Sequence, residues 1–197
     1  MMTDSSSAGP PPRTHKDYYT ALHQAALTIS SSLELDEVLR RVVTSITEAM
    51  QVKGCVLRLL DAHSGELQLS AVYGLSKGYL TKGPVEVKSS LIDSEALRGT
   101  PVVIHDVRTD PRFQYQEAAR REGIISVLCV PLEVHGKAIG VIRVYTAEPC
   151  DFHQDDIQFL SVLASLAALA IENANLYDGL KRSYDGVMDV LWGSSTS

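Results

Sequence analysis

Ser126-Val127-Leu128-Cys129-Val130-Pro131-Leu132, then Glu133-Val134-His135-Gly136-Lys137, then Ala138-Ile139-Gly140-Val141-Ile142-Arg143-Val144-Tyr145, is the stretch that decides the fold class. Both flanks are rich in β-branched and apolar residues, and the polar segment between them contains Gly136, so the whole reads as a β-hairpin. Pro131 lacks a ladder donor, which predicts an edge or the end of a ladder. Gly140 within the second strand predicts a close backbone approach. Upstream, Cys55-Val56-Leu57-Arg58-Leu59-Leu60 reads as a buried strand. After the turn Asp61-Ala62-His63-Ser64-Gly65, Leu67, Leu69, Ala71 and Tyr73 alternate with polar partners, a second hairpin. Val102-Val103-Ile104 after Pro101 is a third, short strand region.

Helical periodicity surrounds these strands. Tyr18, Leu22, Ala25, Ile29 and Leu33 recur at spacings of three and four. Asp36 is the expected N-cap of a second helix carrying Val38, Leu39, Val42, Val43, Ile46 and Met50. Ser89 or Ser90 is expected to cap a short helix from Leu91 to Leu97 that stops at Gly99. A polar helix is predicted over Gln114–Glu122, ending at Gly123, and a long helix from about residue 154. Gly74–Lys88 shows no period, and residues 106–112 read as a loop. Hairpins in the middle with helices at both ends make an α+β fold with an antiparallel sheet of five or six strands.

Composition bounds the function. The chain has 197 residues, 45% hydrophobic, with a net charge of −6. This is material for one compact core, and the charge argues against a general phosphate-backbone binder, so no nucleic-acid partner is expected. No apolar run is read as a membrane span, the longest candidate being Leu160–Ile171, and the N-terminus has no signal pattern. Cys55, Cys129 and Cys150 have no paired spacing, which fits a reducing, cytoplasmic setting. Residues 1–14 are expected to be a disordered arm, 15–178 the folded domain, and 179–197 a helical extension with a flexible tail.

The last helix carries a heptad. Phe159, Leu163, Leu166, Ala170, Asn173, Tyr177, Leu180, Tyr184, Val187 and Leu191 alternate at spacings of four and three. Ile157, Leu160, Ala164, Ala167, Ala168 and Ile171 form a second stripe. Two apolar faces imply two clients: the sheet, and a partner helix from the same chain, a second chain, or both. On this reading Leu22, Ile29, Leu163, Leu166, Ala170, Asn173, Tyr177, Leu180 and Tyr184 are the candidate dimer face. Trp192 near the C-terminal end is also expected to be covered.

The order and spacing of these segments resemble the GAF family of small-molecule sensor domains. The resemblance is carried by Ala96-Leu97-Arg98-Gly99-Thr100-Pro101-Val102-Val103-Ile104-His105-Asp106-Val107 with Asp110-Pro111-Arg112-Phe113, by the Ser126–Ile142 hairpin, and by Leu163-Ala164 through Ala170-Ile171-Glu172-Asn173-Ala174-Asn175-Leu176-Tyr177. It implies terminal helices on one sheet face, a pocket formed by short helices and loops on the other, and a regulatory role relayed to a downstream signalling effector. The segments matching the family's pocket put Tyr79, Ser89, Ser90, Leu91, Asp106, Arg112, Tyr115 and Cys129 forward as candidate ligand contacts. Ser89 and Ser90 are candidates to present backbone N–H groups to an anion, Arg112 to pair with a carboxylate or phosphate, and Tyr115 to stack on a ring. Each has a plainer role available: helix cap, surface charge, lid residue. The cyclic-nucleotide signature Asn-Lys-x-Phe-Asp-Glu is absent.

No catalytic or metal constellation is read. There is no His-x-x-x-His, Cys-x-x-Cys, P-loop or Gly-x-Ser-x-Gly pattern. No cysteine precedes a His, which argues against covalent bilin, and haem is not expected either, since only His105 is placed where a ligand would be considered and it has solvent as its alternative. The ligand stays unnamed. Two alternatives remain open: a small redox enzyme of the free methionine sulfoxide reductase type, or thiol sensor, using Cys150 or Cys129; and a structural dimerisation module whose pocket is vestigial.

Overall fold

The computed structural model describes residues 15–31 and 34–193. The expected arm at 1–14, Leu33 and the tail at 194–197 lie outside these residues, and so do the side chains of Val187, Leu191 and Trp192. The chain runs α1 (His15–Ser31), α2 (Leu35–Ala49), β1 (Gly54–Leu60), β2 (Leu67–Tyr73), α3 (Lys77–Leu80), α4 (Leu91–Ala96), β3 (Val102–Ile104), α5 (Gln116–Glu122), β4 (Ser126–Val134), β5 (Lys137–Thr146) and α6 (Gln154–Gly193). The strands form one five-stranded sheet in the order β2-β1-β5-β4-β3, and every pair is antiparallel. This is the expected α+β class.

Side-chain alternation divides the sheet between two cores. Leu128, Val130 and Leu132 of β4 and Ile142 and Val144 of β5 face α1, α2 and α6. Val127, Cys129, Val141 and Tyr145 face the layer of α3, α4, α5 and their loops. Against the first face α6 lays Leu160, Leu163, Ala164, Ala167 and Ala168, all fully buried. The alanines let the helix approach the sheet closely. On α1, Tyr18 stacks on Phe159 with ring centroids 4.0 Å apart and donates its hydroxyl to Asp156. Asp156 also accepts the His153 backbone N–H at 2.8 Å, the reciprocal half of a capping box at the start of α6.

Several details depart from the sequence reading. The cap of α2 is Glu34, not Asp36; Asp36 and Glu37 occupy the first turn, where carboxylates complement the helix dipole. Of the two serines expected to cap α4, Ser90 does so, which agrees with the reading. The short helix α3 was not expected; Ser76 caps it by accepting the Tyr79 N–H. The β4–β5 connection is a two-residue turn, because Val134 and Lys137 still pair. His135 and Gly136 both have positive φ, 49° and 74°, the geometry that matches strand twist. Pro131 lies on an interior strand, but β3 pairs only as far as Cys129, so its missing donor falls where β4 has a free flank.

The reading of the terminal helix needs two corrections. By length and composition Gln154–Tyr184 is apolar enough to cross a membrane, contrary to expectation; 44% of its most apolar stretch is buried in this fold. The heptad also divides in two. Phe159, Leu163 and Ala170 are buried within the domain, whereas Asn173, Tyr177, Leu180 and Tyr184 are exposed.

Candidate functional site

Two strands with charges in apolar runs build the site. Arg58 sits in β1 and Arg143 in β5, and the ladder places Arg58 opposite Val141 and Arg143 opposite Val56. Both guanidinium groups enter the layer between the sheet and α3, α4 and α5, and both are buried. Arg143 meets Asp93 of α4 in an ion pair, and its Nη2 donates to the capping hydroxyl of Ser90 at 3.3 Å. Its Nε has no hydrogen-bond partner. Arg58 donates through Nη1 to the Leu67 carbonyl at 2.9 Å. Cys129, next on the same face, places Sγ 4.0 Å from Asp93 Oδ1.

A third cation closes the cluster from the loop after α3. Lys82 Nζ lies 3.8 Å from the centroid of the Tyr79 ring and 5.5 Å from that of Tyr115, two cation–π contacts. It also donates to the Tyr79 carbonyl at 3.3 Å. Tyr79 is buried edge-on to Tyr145, with centroids 5.7 Å apart, and its hydroxyl has no partner. The electrostatics follow from this crowding. Burial, reinforced by Arg58 and Arg143, pulls the Lys82 ammonium down to about 7. Burial pushes the Cys129 thiol up to about 12 and raises the Tyr79 phenol. Burial is the largest influence on Arg143 and opposes its charge, but Asp93, Tyr145 and Cys129 together outweigh it and hold that guanidinium well above its ordinary value.

Two cavities meet at this cluster. An interior one of about 10 Å³, the size of a single water, is lined by Lys82, Val85, Ser90, Ile92, Phe113, Gln114, Tyr115 and Arg143. An open groove of about 1000 Å³ lies outside it between α3, α5 and the residue 108–116 loop. Lys82, Phe113, Gln114 and Tyr115 line both. Tyr115 is held in place by donating its hydroxyl to the Pro84 carbonyl at 2.6 Å.

Of the candidate contacts, Tyr79, Ser90, Tyr115 and Cys129 are brought together here. The other four are placed elsewhere. Ser89 is exposed and bonds Glu86 at 3.2 Å. Leu91 is 58% exposed, and its neighbour Ile92 fills the interior instead. Arg108 occupies the carboxylate of Asp106 and holds it at about 2. Arg112 is engaged by Asp110 at 2.7 Å and Glu95 at 3.6 Å. Arg58, Lys82, Asp93 and Arg143 were not anticipated. A charge in the middle of an apolar strand was the available signal for the two arginines. His105 faces solvent, with Nδ1 3.1 Å from Asp151.

A family model described as "GAF domain" matches residues 34–171. The chain belongs to the GAF domain family. Its relatives include a methyl sulfide methyltransferase-associated sensor of Methanosarcina acetivorans, 28% identical over 83% of this chain, and a Nif-specific regulatory protein of Herbaspirillum seropedicae, 26% identical over 74%. The chain spans only 18% and 28% of those two proteins. Among solved structures, the GAF domain of a phosphoenolpyruvate-protein phosphotransferase from Coxiella burnetii superposes with a TM-score of 0.75 at 22% identity, over 83% of this chain and 98% of that one. The free methionine-R-sulfoxide reductase of Neisseria meningitidis, in complex with its substrate, superposes at 0.70 with 21% identity, over 87% and 99%. The fold is therefore shared by sensors, regulators and an enzyme.

Proposed function

We propose that this GAF domain is a non-catalytic sensory module, which binds a small molecule between the sheet and α3–α5 and passes its state to α6. One observation carries the reading. β4 has a ligand-side face and a helix-side face one residue apart: Cys129 lies beside Asp93, while Leu128 and Val130 pack in the same cluster as Leu163, Ala164 and Ala167 of α6. A shift of β4 that accommodates a ligand has to be absorbed by the seat of α6. The sensor and regulatory relatives support the same reading.

The outlet is the distal part of α6. At 40 residues it spans about 60 Å, well past the sheet. Beyond the part that packs on the sheet it exposes Leu176, Tyr177, Leu180 and Tyr184. These residues fit a parallel helix pairing between two copies of the chain, and beyond them an effector. Among the described residues Cys55, Cys129 and Cys150 form no disulfide, which fits a cytoplasmic setting. Burial of Cys129 speaks against the redox reading through that thiol, because desolvation disfavours its thiolate, and leaves Cys150 as the cysteine that alternative would use. The water-sized interior cavity favours the second alternative, a vestigial pocket in a structural module.

Native mass spectrometry of freshly purified protein, followed by a thermal-shift screen of metabolites, tests the reading. A retained or stabilising small molecule supports sensing. An empty protein that no metabolite stabilises favours the structural module.

A further inference from the structure

Within the described residues, the buried layer around Arg143 holds more positive than negative charge. Arg58 and Arg143 are buried in it, half-buried Lys82 meets them from the groove side, and Asp93 is the carboxylate that answers them from inside. Glu122 also acts on Lys82 but stands at the groove side, where Ser76 donates to both of its oxygens. Uncompensated buried cations are costly, and natural folds hold them where an anion or a charge partner arrives. Two donors nine-tenths or more buried lack partners in the same layer, Arg143 Nε and the Tyr79 hydroxyl. Arg143 lines the interior cavity itself.

We propose that the interior pocket, enlarged into the groove when Tyr115 swings out, takes a small oxyanion, the carboxylate or phosphate group of a metabolite, with Arg143 and Lys82 as its charge partners and Tyr115 as its door. This rests on the sensory reading and specifies the ligand's chemistry. Tyr115, together with Lys82, Phe113 and Gln114, separates the interior from the open groove. A single hydrogen bond from its hydroxyl to Pro84 latches it. Swinging Tyr115 outward joins the two spaces, and the anion then enters past Lys82. Arg58 stands behind and adds field without needing contact. An arriving anion also favours the charged form of Lys82, so binding near neutral pH takes up a proton.

The test is calorimetric titration of the full chain with malonate, succinate, glutarate and inorganic phosphate, using succinamide as the uncharged control. Expected is saturable binding of at least one oxyanion, weakened by sodium chloride, with none for succinamide. The carboxylate and phosphate arms separate the two sources of the group. Lys82→Met should weaken binding about tenfold or more, the worth of one charge-assisted contact. Lys82→Arg should retain binding but lose the proton uptake, measured as the difference in heat between two buffers of unlike ionisation enthalpy. Arg41→Met, exposed on α2 across the sheet, should leave the affinity unchanged. Folding of each variant is checked by its melting curve. Equal binding of succinamide, or full affinity in Lys82→Met, overturns the proposal. So does the absence of binding by every anion. If native mass spectrometry meanwhile finds an uncharged molecule retained, the sensory reading stands and the oxyanion assignment alone falls.

Discussion

Asp93 on α4 and Arg143 on β5 form an ion pair whose side chains are 0% and 6% exposed. The pair ties the short helix to the centre of the sheet, and Ser90, the cap of that helix, bonds the same guanidinium. Removing one partner leaves the other buried and uncompensated. Asp93→Ala should therefore destabilise the domain by about 3–5 kcal/mol, read from denaturant unfolding. The double replacement Asp93→Leu with Arg143→Met should recover most of that loss. A single variant that unfolds at the wild-type midpoint would show that the pair is not what holds α4.

Gly140 tests the backbone side of the same strand. A Cβ there would lie 2.2 Å from the Arg58 carbonyl oxygen and 3.1 Å from the Leu59 Cα. Both are backbone atoms of β1, so neither can swing away. Gly140→Ala should cost about 1–3 kcal/mol or more as β5 is pushed off β1. Gly65→Ala serves as the comparison: it has φ 71° but nothing within 4 Å, so it carries left-handed strain without a clash. Its loss should be the smaller of the two.

These two glycines also mark how far local sequence reaches. The hairpins were legible because period-two alternation and turn residues are local, and Gly140 inside a strand announced a close approach. The two-residue turn was read too long because Val134 and Lys137, flanking His135-Gly136, look like loop in a polar stretch yet complete the ladder. The helix α3 was missed because four residues give no period. The charged cluster was legible only in part. Arg58 and Arg143 are charges in apolar runs, a signal that went unused, and their meeting depends on the long-range pairing of β1 with β5. Nothing local ties Lys82 to either. The α6 heptad is a spacing in the sequence, but which of its faces is free depends on where α1 docks. Tyr18 on Phe159 settles that, and Val162, Leu169 and Leu176 remain on the exposed side.

That exposed side gives the prediction for assembly. Val162, Leu169 and Leu176 recur every seven residues, with partly buried Leu166, exposed Asn173 and exposed Leu180 between and after them. This is an a/d seam shifted from the buried one, with one polar position to fix register. Sedimentation should show the wild type as a dimer and Leu176→Glu with Leu180→Glu as a monomer. Its melting should change little, because neither residue touches the core. A wild type that stays monomeric at high concentration would remove the helix pairing from the functional reading, leaving the pocket unaffected.

Lys82 gives the pH dependence. Six groups face it: Arg58 on β1, Arg143 on β5, Asp93 on α4, Glu122 on α5, and the Tyr79 and Tyr115 rings. Burial and the two arginines win, so the folded chain holds this proton only to about pH 7. The unfolded chain holds it to about pH 10.5. Between those values the unfolded state binds more protons, and the Lys82 share of stability must rise with pH. Below about 7 both states carry the charge and the full penalty stays in place. Lys82→Met removes the penalty. Its advantage over wild type, measured by urea unfolding, should be largest near pH 6, shrink steadily above pH 7, and vanish near pH 10.5. A constant difference across that range would mean that Lys82 keeps an ordinary pKa and escapes the field of Arg58 and Arg143. Adding a bound oxyanion should abolish the slope in the wild type, because the charged lysine then has its partner in the folded state.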